Sequence, residues 1–203
     1  MLLSLIIGGA AGIAAALRQN RALDYGVMAL AMTGISIPGY VIAPLLILLF
    51  GVSLGWLPAG GWTPGRYADM VLPVIALAAP QVAYIARLMR GAMIEVLHSN
   101  YIRTARAKGL PMRTVILRHA LKPALMPVLS YLGPAAAGVI TGSVVIEQIF
   151  DIPGIGRYFV QAALNRDYTL VLGVVIFYGG LIIAFNFLVD LLYGSLDPRA
   201  RLK

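Results

Sequence analysis

The 203-residue sequence contains no cysteine and only two histidines. Disulfide bonds, thiolate metal sites and thiol nucleophiles are therefore excluded, and two isolated histidines give no basis for a metal centre. The sequence also lacks the G-x-x-x-x-G-K-[ST] pattern of a phosphate-binding loop and contains no Gly-Lys pair. We therefore predict a protein with no cofactor and no metal, which does not hold a nucleotide through a phosphate-binding loop of its own.

Charged residues are equally scarce. They make up 12% of the chain, against roughly a quarter in ordinary soluble domains. Hydrophobic residues make up 60%, and the mean hydropathy is +0.87. This composition is typical of a protein dissolved in lipid. Asp190 is the only acidic residue inside the apolar segments, and Asp69 lies at the boundary of one. A proton or sodium relay through the membrane therefore has few candidate residues.

Five apolar segments are long enough to cross a hydrocarbon core of about 30 Å as helices. Pro38 and Pro44 lie inside the second segment and predict a kinked helix there. We therefore predict an all-α membrane protein with about five transmembrane helices in a single domain, residues 1–203. The five segments are Met1–Leu17, Val27–Phe50, Met70–Ala86, Pro123–Ile146 and Tyr168–Tyr193.

Successive loops between the spans lie alternately on the two sides of the membrane, and the cations are distributed unevenly between these sides. All but three of the 16 Lys and Arg residues fall on one side, and the exceptions are Arg66, Arg157 and Arg166. By the positive-inside rule, residues 87–122 form a cytoplasmic loop, the N-terminus lies outside and the C-terminus lies in the cytoplasm. Topology thus accounts for the net charge of +8, and we predict no nucleic-acid partner. The inside cations are Arg18, Arg21, those of residues 87–122, Arg199, Arg201 and Lys203.

One motif raises a different class of function. Gly51-Val-Ser-Leu-Gly55 satisfies G-x-S-x-G, the pattern of a serine hydrolase nucleophile elbow, with Ser53 as the nucleophile. An elbow requires a strand before the serine, whereas a membrane helix is predicted before Ser53. The only imidazole bases, His98 and His119, fall on the opposite side of the bilayer. We keep a membrane serine hydrolase as the alternative from another class.

The cytoplasmic loop contains a short segment with helix-terminating signals at both ends. Ser99 and Asn100 are capping residues, Tyr101–Lys108 predicts two helical turns, and Gly109 followed by Pro111 predicts a stop. Arg103 and Arg106 are neighbours on one face of that helix, beside a small apolar patch made by Ile102 and Ala105. These features fit either a helix that docks on a partner or a basic loop that contacts lipid phosphates.

The same stretch carries a resemblance to a known family. "YIRTARAKGL" at Tyr101–Leu110 and "RHALKPALMPVL" at Arg118–Leu129 resemble the permease subunits of bacterial ABC importers of the dipeptide and oligopeptide type. "IPGIG" at Ile152–Gly156, "NRDY" at Asn165–Tyr168 and "LDPR" at Leu196–Arg199 follow in the order typical of that family. The resemblance covers essentially the whole chain and is strongest to the oligopeptide type.

The resemblance implies a type I importer permease fold in which the short helix is the coupling helix, the element that docks on the ATPase. In the broader family this motif begins Glu-Ala-Ala, whereas Arg103-Thr104-Ala105 stands here, so no contact through that carboxylate is expected; the substitution is usual in the peptide branch. The residues expected to contact the ATPase are Arg103, Thr104, Ala105, Arg106, Ala107, Lys108 and Gly109. The implied partners are a homologous second permease, two cytoplasmic ATPases, an extracytoplasmic peptide-binding protein, an oligopeptide substrate and membrane lipid.

The expected function is translocation of oligopeptides across the bacterial inner membrane, without an enzymatic reaction in this chain. Permeases for dipeptides, nickel chelates or glutathione share these motifs and remain alternatives. Members of this family resemble six-span proteins with a first helix and an outer domain, whereas Met1 here begins in what resembles their second helix. We therefore expect the chain to be truncated at its N-terminus.

Overall fold

The structure, a computed structural model, describes the backbone of residues 1–196 and the side chains of residues 1–194. Every regular element in this range is helical, which confirms the predicted all-α fold. The α-helices are α1 (Leu2–Leu17), α2 (Ala22–Ser36), α3 (Gly39–Leu46), α4 (Val71–Leu97), α5 (Asn100–Ala107), α6 (Met112–Thr114), α7 (Leu121–Ile149), α8 (Ile155–Leu164) and α9 (Tyr168–Leu196). A π-helical stretch, Ile47–Ser53, continues α3, and a second, Val115–Ala120, joins α6 to α7.

Within the described residues, three continuous helices are long and apolar enough to cross a membrane: Tyr67–Leu97, Met112–Ile149 and Tyr168–Gly194. A fourth span results if α2 and α3 are counted together as one bent pair. The remaining apolar helix, α1, has 16 residues and is shorter than a typical span. All five apolar segments of the sequence thus form helices, but within the described residues only three, or four with the bent pair, are long enough to span, so the predicted number of about five is approximate.

The second predicted segment is not one helix, because the chain breaks between α2 and α3. The first helix ends at Ser36, and Pro38 stands at the N-cap of the next with φ −61° and ψ 145°. Proline lacks an amide hydrogen and disfavours helical geometry in the residue before it, here Ile37. The helix restarts when the amides of Val41 and Ile42 donate to the Pro38 carbonyl. The predicted kink is therefore a complete break at Pro38.

The basic region, residues 87–122, is largely helical. Helix α4 continues to Leu97, well beyond the expected end at Ala86, and helical structure resumes at Met112. The connection between them is short and contains α5. The helices therefore extend into the basic region and do not end where the cations begin. Arg199, Arg201 and Lys203, which the sequence also assigns to the inside, lie outside the described residues.

The chain divides into two compact units. Unit 1 comprises residues 1–35, 81–132 and the chain from residue 188, and unit 2 comprises residues 36–80 and 133–187. The core of unit 1 centres on Ile85, Met89 and Met93 of α4, each at most 1% exposed. Ile102, Val115 and Val128 from the following helices complete the same cluster. Residues far apart in the sequence thus share one apolar core.

Two glycines bring α1 against α4 in unit 1. A Cβ atom at Gly8 would lie 2.6 Å from the Val82 carbonyl oxygen, and one at Gly12 would lie 2.5 Å from that of Ala86. Real Cβ atoms do not approach so closely, so these positions require glycine. The Gly8-x-x-x-Gly12 motif therefore serves packing within the chain.

Unit 2 has a smaller core. It is formed by Ala43 of α3, Leu72 and Ala76 of α4, and Ile146 and Phe150 around the end of α7. The loop after α3 is tied to this core, because the amide of Gly61 donates a 2.7 Å hydrogen bond to the Phe150 carbonyl.

Candidate functional site

Helix α5 has well-defined ends. Ser99 occupies the N-cap with extended backbone angles, as predicted, although its hydroxyl donates to the Val96 carbonyl and not to the helix. At the other end Gly109 has φ +76°. Its amide donates to Arg106 O at 2.9 Å and the amide of Leu110 donates to Ala105 O at 3.4 Å. These two bonds form a Schellman motif, which explains why glycine follows the helix.

One face of α5 packs into the core of unit 1. Ile102 is fully buried and Ala105 is 6% exposed, and both belong to the same cluster as Met93 and Val115. The helix also contacts the π-helical stretch that leads into α7. The apolar patch predicted from the sequence therefore anchors α5 to its own chain. Ala105, included in the predicted ATPase-contacting set, faces this core and is not part of the exposed surface.

The opposite face of α5 is open. Tyr101, Thr104, Ala107 and Lys108 are exposed and recur at the spacing of one helical face. The Thr104 hydroxyl donates to the carbonyl of Asn100 at 3.1 Å, which leaves its oxygen free to accept a hydrogen bond. With a methyl side chain at Ala107, another backbone can approach this surface closely. We call these four residues the outer face of α5.

Between the buried and outer faces lie Arg103 and Arg106, which line a cavity of about 330 Å³ in unit 1. The end of α1 forms another wall of this cavity and contributes Arg18 and Arg21. Leu97, His98 and Met112, which flank α5 in the sequence, complete the surroundings together with Ala16, Leu17 and Gln19. Two groups of cations that are far apart in the sequence, and that served there only to assign the inside of the membrane, thus line the same cavity.

A buried ion pair fixes the turn that carries Arg18 and Arg21. Asp24, at the start of α2, is 1% exposed and accepts hydrogen bonds from Arg90 Nε at 2.5 Å and Nη2 at 2.7 Å. The same carboxylate accepts the amide of Asn20 at 2.9 Å. Arg90 belongs to α4, so the α1–α2 turn is held on that helix by two charge-assisted bonds.

Sequence reasoning missed this pair. It treated Arg90 as one loop cation among several, and 66 positions separate Arg90 from Asp24. One signal was available: Asp24 is the only carboxylate in the region from Met1 to Tyr67, and an isolated acid beside apolar helices requires a partner.

Two other motifs of the sequence have a structural role in unit 2. Glu147 accepts the amide of Gly156 at 2.8 Å, and a Cβ atom at Gly154 would collide with the same carboxylate. The I-P-G-I-G turn is therefore folded around Glu147 and begins α8. In N-R-D-Y, Asp167 accepts the amide of Leu170 at 3.0 Å and caps α9. Both motifs order helix starts and provide no reactive group.

The elements of a serine hydrolase are not assembled around Ser53. This residue ends a π-helical stretch, and no strand precedes it anywhere in residues 1–196, where every regular element is helical. In the same range no three His, Asp or Glu side chains are grouped so that they could hold a metal ion. The described residues therefore assemble neither the strand-turn-helix of a nucleophile elbow at Ser53 nor a metal site.

Comparison with known proteins places these features in a family. The family model described as "Binding-protein-dependent transport system inner membrane component" matches residues 8–202. The oligopeptide transport system permease protein OppB of Escherichia coli K12 is 61% identical over 199 residues, covering 98% of this chain and 65% of that protein. OppB of Haemophilus influenzae is 56% identical over 198 residues, with 98% and 65% covered.

A third relative carries a different substrate in its name. The dipeptide transport system permease protein DppB of Bacillus subtilis is 50% identical over 202 residues, covering 100% of this chain and 65% of DppB. The chain thus spans just under two thirds of the length of these relatives. The matches cover the segments that contain α5, the Glu147 turn and the three long apolar helices. This multi-pass inner-membrane protein therefore belongs to the binding-protein-dependent transport system inner membrane component family.

Proposed function

We propose that this chain is a permease subunit of an ATP-driven importer of oligopeptides in a bacterial inner membrane. The expected partners are a second, homologous permease, two cytoplasmic ATPases and an extracytoplasmic peptide-binding protein. Translocation makes and breaks no covalent bond in this chain, so the chain itself needs no catalytic residue. Its relatives at 50 to 61% identity, all named as peptide transport permeases, support this assignment.

The structural observation that carries the proposal is the division of α5 into two opposite faces. Ile102 and Ala105 fix the helix to the core that α4 and the start of α7 also enter. The outer face of α5 contacts nothing within this core and is open to a partner. A force applied to the outer face is therefore transmitted through close-packed side chains to two long apolar helices, because packed interiors move as units and deform little.

The ATPase contact falls on Thr104, Ala107 and Lys108, with Arg103, Arg106 and Gly109 at its margins. Tyr101 joins this set because it lies on the same exposed face. Ala105 contributes indirectly, since its methyl group allows α5 to approach the core closely. The chain has no phosphate-binding loop, so energy from ATP has to enter through such a contact.

The orientation follows from the cations around α5. Arg18, Arg21, Arg103, Arg106 and Lys108 lie at one end of unit 1 by sequence and by the cavity that four of them share. By the positive-inside rule this end lies in the cytoplasm, where an ATPase has access to α5. The N-terminus of the chain then lies outside.

Oligopeptides are the substrate class that the names of the first relatives indicate, and dipeptides are the second candidate because DppB is 50% identical. The two differ in how long a chain the pathway accepts. Competition for uptake between labelled di-, tri- and tetrapeptides separates them: inhibition by tri- and tetrapeptides indicates the oligopeptide type, and inhibition by dipeptides alone indicates the other.

The test of the function is uptake by cells. Residues 1–203 are joined to the N-terminal segment of E. coli OppB that they do not match, and the fusion is expressed in a strain lacking its own OppB. We expect restored uptake of a radiolabelled tripeptide, dependent on ATP. A fusion that reaches the membrane and retains a bound ATPase but imports no peptide would contradict a role in peptide translocation.

A further inference from the structure

A group of polar and aromatic side chains joins α4 to α7 within unit 1. The Tyr131 hydroxyl of α7 donates a hydrogen bond to Gln81 Oε1 of α4 at 2.8 Å. The ring of Tyr131 also stacks on that of Tyr84, with the centroids 4.2 Å apart and the planes inclined by 21°. The guanidinium carbon of Arg87 lies 5.3 Å from the Tyr84 ring centroid. We call these four connected residues the Gln81 cluster.

The Gln81 cluster lies within the apolar part of both helices. Gln81 and Tyr84 belong to the third apolar segment of the sequence, and Tyr131 belongs to the fourth. Gln81 and Tyr131 also stand within one residue of the midpoints of the two long apolar helices that contain them. Arg87 alone follows the end of its apolar segment. Because direct contacts join Gln81, Tyr84 and Tyr131, these three residues share one depth inside the membrane.

The cluster uses only part of its hydrogen-bonding capacity. A primary amide has two N–H donors besides its oxygen, and a phenol has one O–H donor. The Gln81 oxygen accepts from Tyr131, whereas the Gln81 amide nitrogen and the Tyr84 hydroxyl have no hydrogen-bond partner within residues 1–194. In the same residues no side-chain nitrogen or oxygen is both buried and unpaired. The open donors of Gln81 and Tyr84 therefore lie at the surface of unit 1.

This surface is unsuited to lipid. Hydrocarbon offers no acceptor, so an unpaired donor in contact with acyl chains is unfavourable. The exposed residues near the middle of α9 show the contrasting composition, since Ile176, Phe177 and Ile183 are large and apolar. Polar side chains inside membrane spans generally face a water-filled cavity or pair with another polar group. The open donors of the Gln81 cluster thus require a polar occupant.

We infer that the Gln81 cluster binds the backbone of the transported peptide. The Gln81 amide and the Tyr84 hydroxyl donate to peptide carbonyl oxygens, which every peptide carries whatever its side chains. The stacked rings of Tyr84 and Tyr131 offer a flat apolar surface to a peptide side chain. Arg87, at the edge of the cluster, supplies a positive charge that suits the terminal carboxylate. The inference rests on the proposed function and deepens it by naming residues that contact the substrate.

A helix of the second permease is a less suitable occupant. The carbonyl groups of a membrane helix are engaged in that helix's own hydrogen bonds. Such a helix pairs the open donors only through a polar side chain at this depth. A peptide in transit has no helix to satisfy its backbone, so its carbonyl oxygens are free to accept. The chemistry of the open donors of Gln81 and Tyr84 therefore favours the peptide.

The test identifies what lies next to position 84 during transport. The fusion of residues 1–203 to the N-terminal segment of E. coli OppB is expressed with Tyr84→p-benzoylphenylalanine, and cells are irradiated while they take up radiolabelled trialanine. The matched control is Phe177→p-benzoylphenylalanine, an exposed position near the middle of α9. Radiolabel on the purified fusion reports contact with the peptide. Mass spectrometry of the crosslinked products reports contact with the second permease or with lipid.

We expect radiolabel on the position-84 protein, abolished by excess unlabelled trialanine, and none on the position-177 protein. A second variant retains side-chain volume and removes the donors, Gln81→Met combined with Tyr84→Phe. We expect it to take up trialanine about tenfold more slowly, because two hydrogen bonds to the peptide are lost, and to retain its co-purifying ATPase. Ser130→Ala is its control, since the Ser130 hydroxyl donates to Met126 O within α7, and its uptake should be unchanged.

Crosslinking of position 84 only to the second permease or only to lipid would overturn the inference. Equal labelling of positions 84 and 177, or unchanged uptake by the Gln81→Met, Tyr84→Phe variant, would also overturn it. The inference and the proposed function fail in different ways. A parent fusion that imports no trialanine contradicts both, whereas import without any label at position 84 overturns this inference alone.

Discussion

Arg90 binds both oxygens of Asp24, through Nε at 2.5 Å and Nη2 at 2.7 Å, and so holds the start of α2 on α4. The Asp24 side chain is 1% exposed and that of Arg90 is 26% exposed. The pair positions the α1–α2 turn and, with it, one wall of the basic cavity.

Substitution of Arg90 by glutamine leaves the buried Asp24 carboxylate without its counter-charge. We expect the free energy of unfolding to fall by about 3 kcal/mol, at the lower end for a buried pair because Arg90 is partly exposed. The control is Arg66→Gln. Asp69 is also buried, with its side chain 3% exposed, but the Nε of the 58% exposed Arg66 lies 3.4 Å from it and the Thr63 amide donates to the same carboxylate, so we expect a smaller loss than for Arg90→Gln. Unfolding in mixed dodecyl maltoside and dodecyl sulfate micelles measures both. Equal losses would show that the Asp24–Arg90 pair has no special role.

Adding a single methyl group at Gly12 tests the contact of α1 with α4. Gly12→Ala places a Cβ atom 2.5 Å from Ala86 O and 2.7 Å from the Met89 Cβ, so α1 has to move away. We expect a loss of about 1 to 3 kcal/mol in the free energy of unfolding. Gly26→Ala in α2 is the control because nothing lies within 4 Å of its added Cβ, and helix propensity favours alanine. A Gly12→Ala protein as stable as Gly26→Ala would contradict the described packing.

The end of α5 depends on backbone conformation at Gly109. An added Cβ meets nothing within 4 Å there, but φ is +76°, so Gly109→Ala costs about 1 kcal/mol through strain alone. Gly91→Ala in α4 also meets nothing and has no positive φ, so we expect it to be neutral or stabilising. Limited proteolysis between residues 98 and 111 should become faster in the first variant only. Equal cleavage of the two variants would argue against the Schellman motif.

The fold class was predictable because lipid imposes a strong and local demand. Each apolar segment has to satisfy its own backbone, so long runs such as Tyr168–Tyr193 are read directly as helices. The complete break at Pro38 was not predictable, because a proline inside a membrane helix produces anything from a slight bend to a full stop. Which of these occurs depends on neighbours that can pair the freed backbone groups, and those neighbours are not visible in a single sequence.

The site was predicted only in part, because local signals can be read from a sequence and packing between distant residues cannot. The end of α5 was predictable because Gly109 acts on adjacent residues, and the start fell at Ser99 although its hydroxyl does not cap the helix. The orientation of the helix was not, because burial of Ile102 and Ala105 depends on core residues from distant helices. The cavity likewise requires Arg18 and Arg103, which are far apart in the chain, and the Asp24–Arg90 pair that brings their walls together has no local pattern.

In the function proposed above, the outer face of α5 contacts the ATPase. Ala107→Trp fills this face without touching the core, and Ala163→Trp makes the same change at an exposed position of the short helix α8. The measurement is the amount of ATPase that co-purifies with the tagged membrane complex, assembled as the OppB fusion in E. coli. We expect Ala107→Trp to reduce it about tenfold or more, because a bulky side chain at a close contact costs 1 to 3 kcal/mol or above, and Ala163→Trp to leave it unchanged. Full retention of the ATPase by the Ala107→Trp protein would contradict the account.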